Sequence, residues 1–222
     1  MKEKIIKSLD RIAAFEDKWD HARFYSKLVL KQIGKDNDRI LDIGCGTGEF
    51  TLKAAQRANS VVGIDISPKM INEAKRRHYA NNITYNVQDF DTMDEKQQYD
   101  CIVSIDAIHH LSLEKALPKI DKMLKPGGVL VVVDLYERRG LFDLFLDIIA
   151  VPANFILNKI KNGSIRINED EINAWKEHKE LDKYMTIDEL RNIYGENYGW
   201  DVMVIRLLFW RYMAVYRKME IV

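Results

Sequence analysis

Five short, nearly unbroken apolar runs lie at 40–43, 61–64, 83–87, 101–105 and 129–134. They alternate with segments at 50–57, 68–79 and 113–124, whose apolar positions recur at helical spacing. Strands buried on both faces need continuous apolar runs, because neither face meets water. Helices buried along one stripe need the wider spacing. Strand–helix alternation of this kind predicts a parallel, doubly wound sheet with right-handed crossovers. Local punctuation agrees: Ser67 before Pro68 offers an N-cap followed by proline at the first helical position. Lys125-Pro126-Gly127-Gly128 predicts a stop and a turn ahead of the fifth strand.

The flanks follow other patterns. Residues 1–34 read as helix, with Phe15, Trp19, Phe24, Leu28 and Ile33 as intermittent apolar positions. Residues 140–157 are apolar except for Asp143, Asp147 and Asn154, which fall on one helical face. Residues 169–183 are heavily charged and predict a solvated helix, and Thr186-Ile187-Asp188-Glu189 predicts a capping box. The last apolar stretches, 200–207 and 212–217, predict a hairpin. The expected fold class is α/β, a doubly wound, Rossmann-like, seven-stranded sheet, mostly parallel with an antiparallel C-terminal strand and helical lid elements. One domain is expected over 1–222, with an N-terminal helical lid (1–34), a ligand-binding core (38–138), a helical insertion or lid (139–183) and a C-terminal helix and hairpin (184–222).

Composition narrows the class. The 222 residues are 47% hydrophobic and 31% charged, as in a soluble globular protein. Lys plus Arg and Asp plus Glu both number 34, so no net field draws in nucleic acid. Cys45 and Cys101 sit in or beside apolar runs, the pattern of reduced intracellular thiols. Residues 1–10 lack the apolar core of a signal peptide, and 141–157 is shorter than the roughly 20 apolar residues of a membrane span. A cytoplasmic location and no membrane span are expected.

The candidate chemistry starts where the first strand runs into glycines at alternate positions, in Ile40-Leu41-Asp42-Ile43-Gly44-Cys45-Gly46-Thr47-Gly48-Glu49-Phe50. Glycine admits positive φ and close approach of a ligand, and the next helix opens with unpaired N–H groups. A nucleotide-like ligand at the carboxyl end of a parallel strand fits that combination. The spacing is G-x-G-x-G rather than the dinucleotide pattern G-x-G-x-x-G. Asp65 stands 21 residues after Gly44 at the end of the second strand, where a carboxylate can accept both hydroxyls of a ribose. That placement suits NAD as well as an S-adenosyl ligand, and an Asp that merely caps the helix at Ser67 is the plain alternative. Asp89-Phe90, just past the third strand, offers an acid for an adenine amino group beside an aromatic for its ring face.

Taken in order, these segments resemble the class I S-adenosylmethionine (SAM)-dependent methyltransferases. The resemblance spans about 40–134 and rests on Leu41-Asp-Ile-Gly-Cys-Gly-Thr-Gly48, Gly63-Ile-Asp-Ile-Ser-Pro-Lys-Met70, Asp89-Phe90, Tyr99-Asp-Cys-Ile-Val-Ser104, Ala107-Ile-His-His-Leu111 and Leu124-Lys-Pro-Gly-Gly128. It implies a cofactor set of Asp42, Gly44, Cys45, Gly46, Gly48, Asp65, Ile66, Met70, Asp89, Phe90 and Ser104. In that set the three glycines carry the methionine portion, Asp65 the ribose, Met70 the adenine face and Asp89 its amino group. More loosely, Asp17–Tyr25, Trp175-x-x-His178, Asp182-x-Tyr184 and 207–212 resemble parts of small-molecule members. The implied reaction moves a methyl group to an oxygen or carbon of a small acceptor, leaving S-adenosyl-L-homocysteine (SAH).

His109 and His110, past the fourth strand, are the candidate bases, with helix entry and packing as the plain alternative; neighbours on a helix diverge, so one of them is expected to face the site. No third ligand has suitable spacing nearby, so no metal is expected. His21 and Tyr25 share a helical face and, with Asp106, are candidate substrate contacts. Ser104-Ile-Asp-Ala lacks the Asn/Asp-Pro-Pro-aromatic motif of base-amino methylation, and no double-glutamate loop is present there. A small apolar or aromatic acceptor is expected under a lid formed by 141–157 and the first helix, with a monomer or a homodimer through the same surface. The competing readings are an RNA-directed methyltransferase, a catalytically silent SAM-binding partner module and an NAD-dependent dehydrogenase.

Overall fold

The computed structural model describes residues 2–15, 21–34, 37–162, 169–195 and 202–219. Alternate side chains of a strand point to opposite faces, so a central strand with two apolar faces needs cover on both. In β1 (Asn37–Ile43), Leu41 and Ile43 enter one core and Ile40 the other. β2 (Ala58–Asp65), β4 (Tyr99–Ile105) and β5 (Leu124–Leu135) divide their side chains in the same way. With β3 (Ile83–Val87), β6 (Val202–Arg206) and β7 (Arg211–Arg217) they form one seven-stranded sheet, ordered β3-β2-β1-β4-β5-β7-β6. β7 runs antiparallel to β5 and β6, and the β1–β5 pairings are parallel. The expected doubly wound sheet with an antiparallel C-terminal strand is therefore present.

α5 (Leu113–Met123) and α8 (Ile187–Gly195) cover one face through Leu117, Ile120, Leu190 and Ile193. α2 (His21–Ile33), α3 (Glu49–Ala54) and α6 (Leu141–Asn162) cover the other through Val29, Phe50 and Ala150. Both expected caps are formed. Met70 N donates to Ser67 Oγ at the start of α4 (Pro68–Arg77), while Thr186 and Glu189 bond reciprocally ahead of α8.

Four expectations need correction. Residues 1–34 are not one helix, because α1 (Lys2–Ile12) packs on α4 and on α7 (Glu169–Lys179), whereas α2 packs on β5 and α3. One straight rod cannot reach both places, and the chain turns at 13–14. Trp19 and the Asp17–Asp20 part of the lead-in segment lie outside the described residues, as does Trp200. Lys125–Gly128 does not precede β5 but bulges within it: Leu124 pairs with Tyr99 and Val129 with Cys101. Two backbone bonds, Gly127 N to Lys218 O and Lys218 N to Gly128 O, fasten the bulge to the end of the β7 segment.

α7 is not simply solvated. Its Ala174 packs with Ile12 at the end of α1 and with Ala13 just beyond it, and its His178 is buried. Lastly, the polar stripe of α6 points into the protein. Asp143 accepts from Tyr136 OH and Arg139 N, Asp147 from Trp210 Nε1 and Arg138, and Asn154 from His21 Nε2. The apolar face consequently points outward, with Phe142, Phe145, Ile148 and Phe155 each more than half exposed. Only its first turns reach the cleft described below, so most of α6 does not form the expected roof. Among the described residues, no helix is long and apolar enough to cross a membrane.

Candidate functional site

β1 lies between β2 and β4, the point at which the strand order reverses, and ligands of open α/β sheets collect there beyond the strand ends. The chain leaves β1 through a turn tied to its neighbour: Gly44 N and Cys45 N both donate to Ile64 O, at 2.9 and 3.0 Å. Gly44 has φ +72°, and a Cβ there would come within 2.2 Å of Ala107 Cβ, so the turn and the loop after β4 touch backbone to side chain. Gly46, at φ +52°, has no atom within 4 Å of a Cβ position and presents an open backbone face. Beneath it Asp65 accepts from Gly46 N at 3.1 Å and from Ser67 N at 2.8 Å, so one carboxylate joins the ends of β1 and β2.

Burial disfavours charge around this turn. It raises Asp65 above the ordinary carboxylate range despite its backbone donors, and raises the buried Cys45 thiol as well. Asp42 is pushed up to about 7 by burial, with the Asp65 charge adding to the effect and the Thr51 hydroxyl opposing it. Its carboxylate accepts that hydroxyl at 2.6 Å and is buried, so it fixes the start of α3 rather than touching a ligand. Ser104 is likewise spent inside the sheet, where it donates to Ile43 O and is fully buried.

The adenine side differs from expectation. Phe90 is a core residue beneath α5, packed against Lys119. Met70 is buried against Ile12, Ala13 and Ala174. Asp89 receives the Lys2 ammonium at 2.5 Å, and Asp10 receives the Ser67 hydroxyl at 2.5 Å. Thus α1 lies over the two positions expected to meet adenine, Met70 and Asp89. Apolar or acidic residues at a strand end serve a neighbouring helix as readily as a ligand, and sequence spacing does not separate the two. Ile66, half-buried between Asp65 and Ser67, remains beside the turn.

Both histidines face one site. They lie in a short 3-10 turn, Ile108–His110, and their rings pack with centroids 4.1 Å apart. Asp134, fully buried at the end of β5, accepts from His109 Nδ1 at 2.7 Å and from His109 N at 2.9 Å. Asp182 approaches from the far side, with its Oδ1 3.5 Å from His109 Nε2 and 3.8 Å from His110 Nδ1. This is the third ligand-type residue that sequence spacing did not supply. Tyr184 OH donates to Asp182 Oδ2 at 2.5 Å.

Burial works against charge on His109, but the Asp134 and Asp182 carboxylates outweigh it and raise the imidazole to about 10. His110 is lowered to about 4 by burial and by the adjacent His109. At neutral pH the pair therefore holds one charged and one neutral ring.

The remaining candidates are structural. His21, lowered to about 4 by burial and by Arg211, packs on Phe209 and Trp210. Tyr25 does share its face, but its hydroxyl donates to Leu208 O at 2.5 Å and its ring is buried, which removes it from acceptor contact. Asp106, at φ +52°, accepts both Nε and Nη2 of the buried Arg211, so its carboxylate is engaged by that pair rather than by a helix start. Beyond Asp182 and Tyr184 opens a cleft of about 590 Å3, lined in part by Tyr136, Leu144, Asp147, Lys179, Tyr184 and Trp210. Asp134 was the missed residue with a visible signal: it is the single acid closing an apolar strand run, at a position matching Asp65.

Residues 40–128 match the sequence profile of a family described as "Methyltransferase domain". Those residues are a methyltransferase domain. The chain is similar to a demethylmenaquinone methyltransferase of Tropheryma whipplei, 34% identical over 52% of this chain and 49% of the relative. It is similar also to a ubiquinone biosynthesis O-methyltransferase of Coxiella burnetii, 26% identical over 68% and 66%. Among solved structures, the DhpI–SAH complex aligns over 99% of both chains at a TM-score of 0.65 and 20% identity, so the two share a fold over their whole length. The chain spans 6%, 59% and 49% of the length of three of the first curated relatives it matches.

Proposed function

We propose that this methyltransferase domain moves a methyl group from SAM to an oxygen or carbon of a small apolar or aromatic molecule. The observation that carries the reading is the open backbone face of Gly46 set directly above the Asp65 carboxylate at the switch point of the sheet. Residues at this turn fit the cofactor: Gly46 supplies close-approach backbone, held in place by Gly44 packed on Ala107 and Gly48 packed on Tyr85, and Asp65 retains acceptor capacity for a ribose. SAM brings its methyl already activated on a sulfonium. The chain's own task is then to hold an acceptor in line, and positioning of that kind supplies about 7–11 kcal/mol of a bimolecular barrier.

The acceptor would occupy the cleft beside Tyr184, where Tyr136, Leu144 and Trp210 offer apolar surface. Of the two rings behind Asp182, His110 is neutral at pH 7 and able to take a proton, while the charged His109 is held by Asp134. Relatives named for demethylmenaquinone and for ubiquinone biosynthesis support an acceptor of this size and character. Zero net charge argues against RNA as the acceptor.

The test is transfer of labelled methyl from SAM to a panel of lipophilic and aromatic metabolites, with bulk RNA as a parallel arm. Label is expected in at least one small molecule, suppressed by added SAH, and not in RNA. Label in RNA alone, or no transfer to any acceptor while SAH binds, would overturn the reading in favour of an RNA enzyme or a silent binding module.

A further inference from the structure

Three imidazole nitrogens converge on one carboxylate oxygen. His109 Nε2, His110 Nδ1 and His178 Nε2 lie 3.5, 3.8 and 3.9 Å from Asp182 Oδ1. The four side chains are 13% exposed or less, and His109 and Asp182 are 7% and 3% exposed. Among the described residues, His109 Nε2 and Asp182 Oδ1 are buried with no hydrogen-bond partner; they face each other at 3.5 Å as an ion pair, beyond a good hydrogen bond. Unpaired groups of this kind cost about 1–3 kcal/mol each, more where charged, so two facing each other call for something between them.

We infer that His109, His110 and Asp182, with His178 beside them, form a binding site for a divalent transition-metal ion of the zinc type, a site that binds metal whether or not the domain transfers methyl groups. With the ion bound His110 is a ligand, so the proton-accepting role proposed above belongs to the metal-free chain. His109 Nε2, His110 Nδ1 and Asp182 Oδ1 all lie within 4.8 Å of one another, whereas His178 falls outside that set. Donors held at about 2.0–2.2 Å from a common tetrahedral ion stand about 3.4 Å apart, so these three close on an ion by side-chain shifts of about 1 Å or less, with water as the fourth ligand. Two nitrogens and one oxygen suit zinc and its neighbours rather than magnesium or calcium, which take oxygen ligands.

The supporting partners are those of a metal site. His109 gives its other nitrogen to Asp134 at 2.7 Å, the carboxylate–histidine arrangement that fixes a ligating ring. His178 Nδ1 bonds Ser8 Oγ at 2.9 Å, which turns Nε2 toward Asp182 at 3.9 Å. Tyr184 occupies the other oxygen of Asp182. An ion displaces the proton that the charged His109 carries in its absence, and the Asp134 and Asp182 carboxylates then balance the divalent charge beside neutral rings. A filled site would pin α7 and Tyr184, one wall of the cleft, to the ends of β4 and β5.

The test uses the full chain, stripped with chelator and titrated with Zn2+ by calorimetry and with Co2+ by absorption. One ion per chain is expected, with a four-coordinate Co2+ spectrum lacking thiolate charge transfer. His110→Ala and Asp182→Ala should each weaken Zn2+ binding by more than about a hundredfold, and Asp134→Asn by about 10–100-fold. SAH titration of the stripped protein runs alongside, so failure here is distinguishable from failure of the cofactor reading. Absence of stoichiometric metal in the wild type, or equal Zn2+ affinity in the variants, overturns the inference. Should the variants fail to fold, the wild-type Co2+ spectrum decides, and an octahedral all-oxygen spectrum overturns it.

Discussion

Gly44→Ala is expected to destabilise the protein by about 2–5 kcal/mol. A left-handed backbone costs a non-glycine residue about 1–2 kcal/mol, and φ is +72° here. The new methyl would also stand 2.2 Å from Ala107 Cβ, and forcing an extra carbon into a filled space costs about 1–3 kcal/mol more. Neither neighbour can yield easily, because the turn is bonded to Ile64 O and the 106–107 segment is anchored by the Asp106–Arg211 pair. In a chain of this size the loss corresponds to a fall of about 5–20 °C in Tm, read by calorimetry or circular dichroism. Gly46→Ala is the informative comparison. It meets open space and pays only for φ +52°, so it should melt within about 1–2 kcal/mol of wild type while losing SAH affinity. Equal melting of Gly44→Ala and wild type would mean that the turn does not touch the loop after β4.

Asp65→Ala is expected to lower affinity for SAH by at least about tenfold with the fold intact. Each hydrogen bond from a ribose hydroxyl to a carboxylate contributes about 1.5–3 kcal/mol, and about 1.4 kcal/mol is already a factor of ten. Loss of the carboxylate also releases Gly46 N and Ser67 N, which loosens the turn that a ligand must meet. Asp65→Asn keeps an acceptor and should fall between alanine and wild type. Calorimetric titration of the three proteins checks the order, and equal affinities would remove the ribose assignment.

The parts of the fold legible in the sequence were those for which one physical pattern has one structural solution. Val129–Val133 alternate between two apolar cores, so an unbroken apolar run is what a strand covered on both sides requires. Gly44 and Gly46 announced their turn because positive φ at alternate positions after a strand leaves few alternatives. Other features were not legible because the pattern is symmetric with respect to the answer. In α6 the separation of Asp143, Asp147 and Asn154 from the apolar positions is plain, yet it does not say which side faces the protein; partners at Tyr136, Trp210 and His21 decide it. Met70 and Phe90 show the burial expected of ligand contacts, and a helix or core supplies it instead.

The histidine site was hidden for another reason. His109, Asp134, His178 and Asp182 come from the ends of two strands, from α7 and from the segment after it. Only the sheet and the packing of α7 on α1 bring them together. His178, Asp182 and Tyr184 stood out by resemblance to small-molecule members, but nothing in their spacing connects them with His109.

The central claim is that the turn after β1 receives an S-adenosyl ligand. Titration of the purified wild-type chain with SAH and with NAD in parallel tests it most directly. A single site of micromolar affinity for SAH and no measurable heat with NAD is the expected result; saturable NAD binding, or no SAH binding, would contradict it.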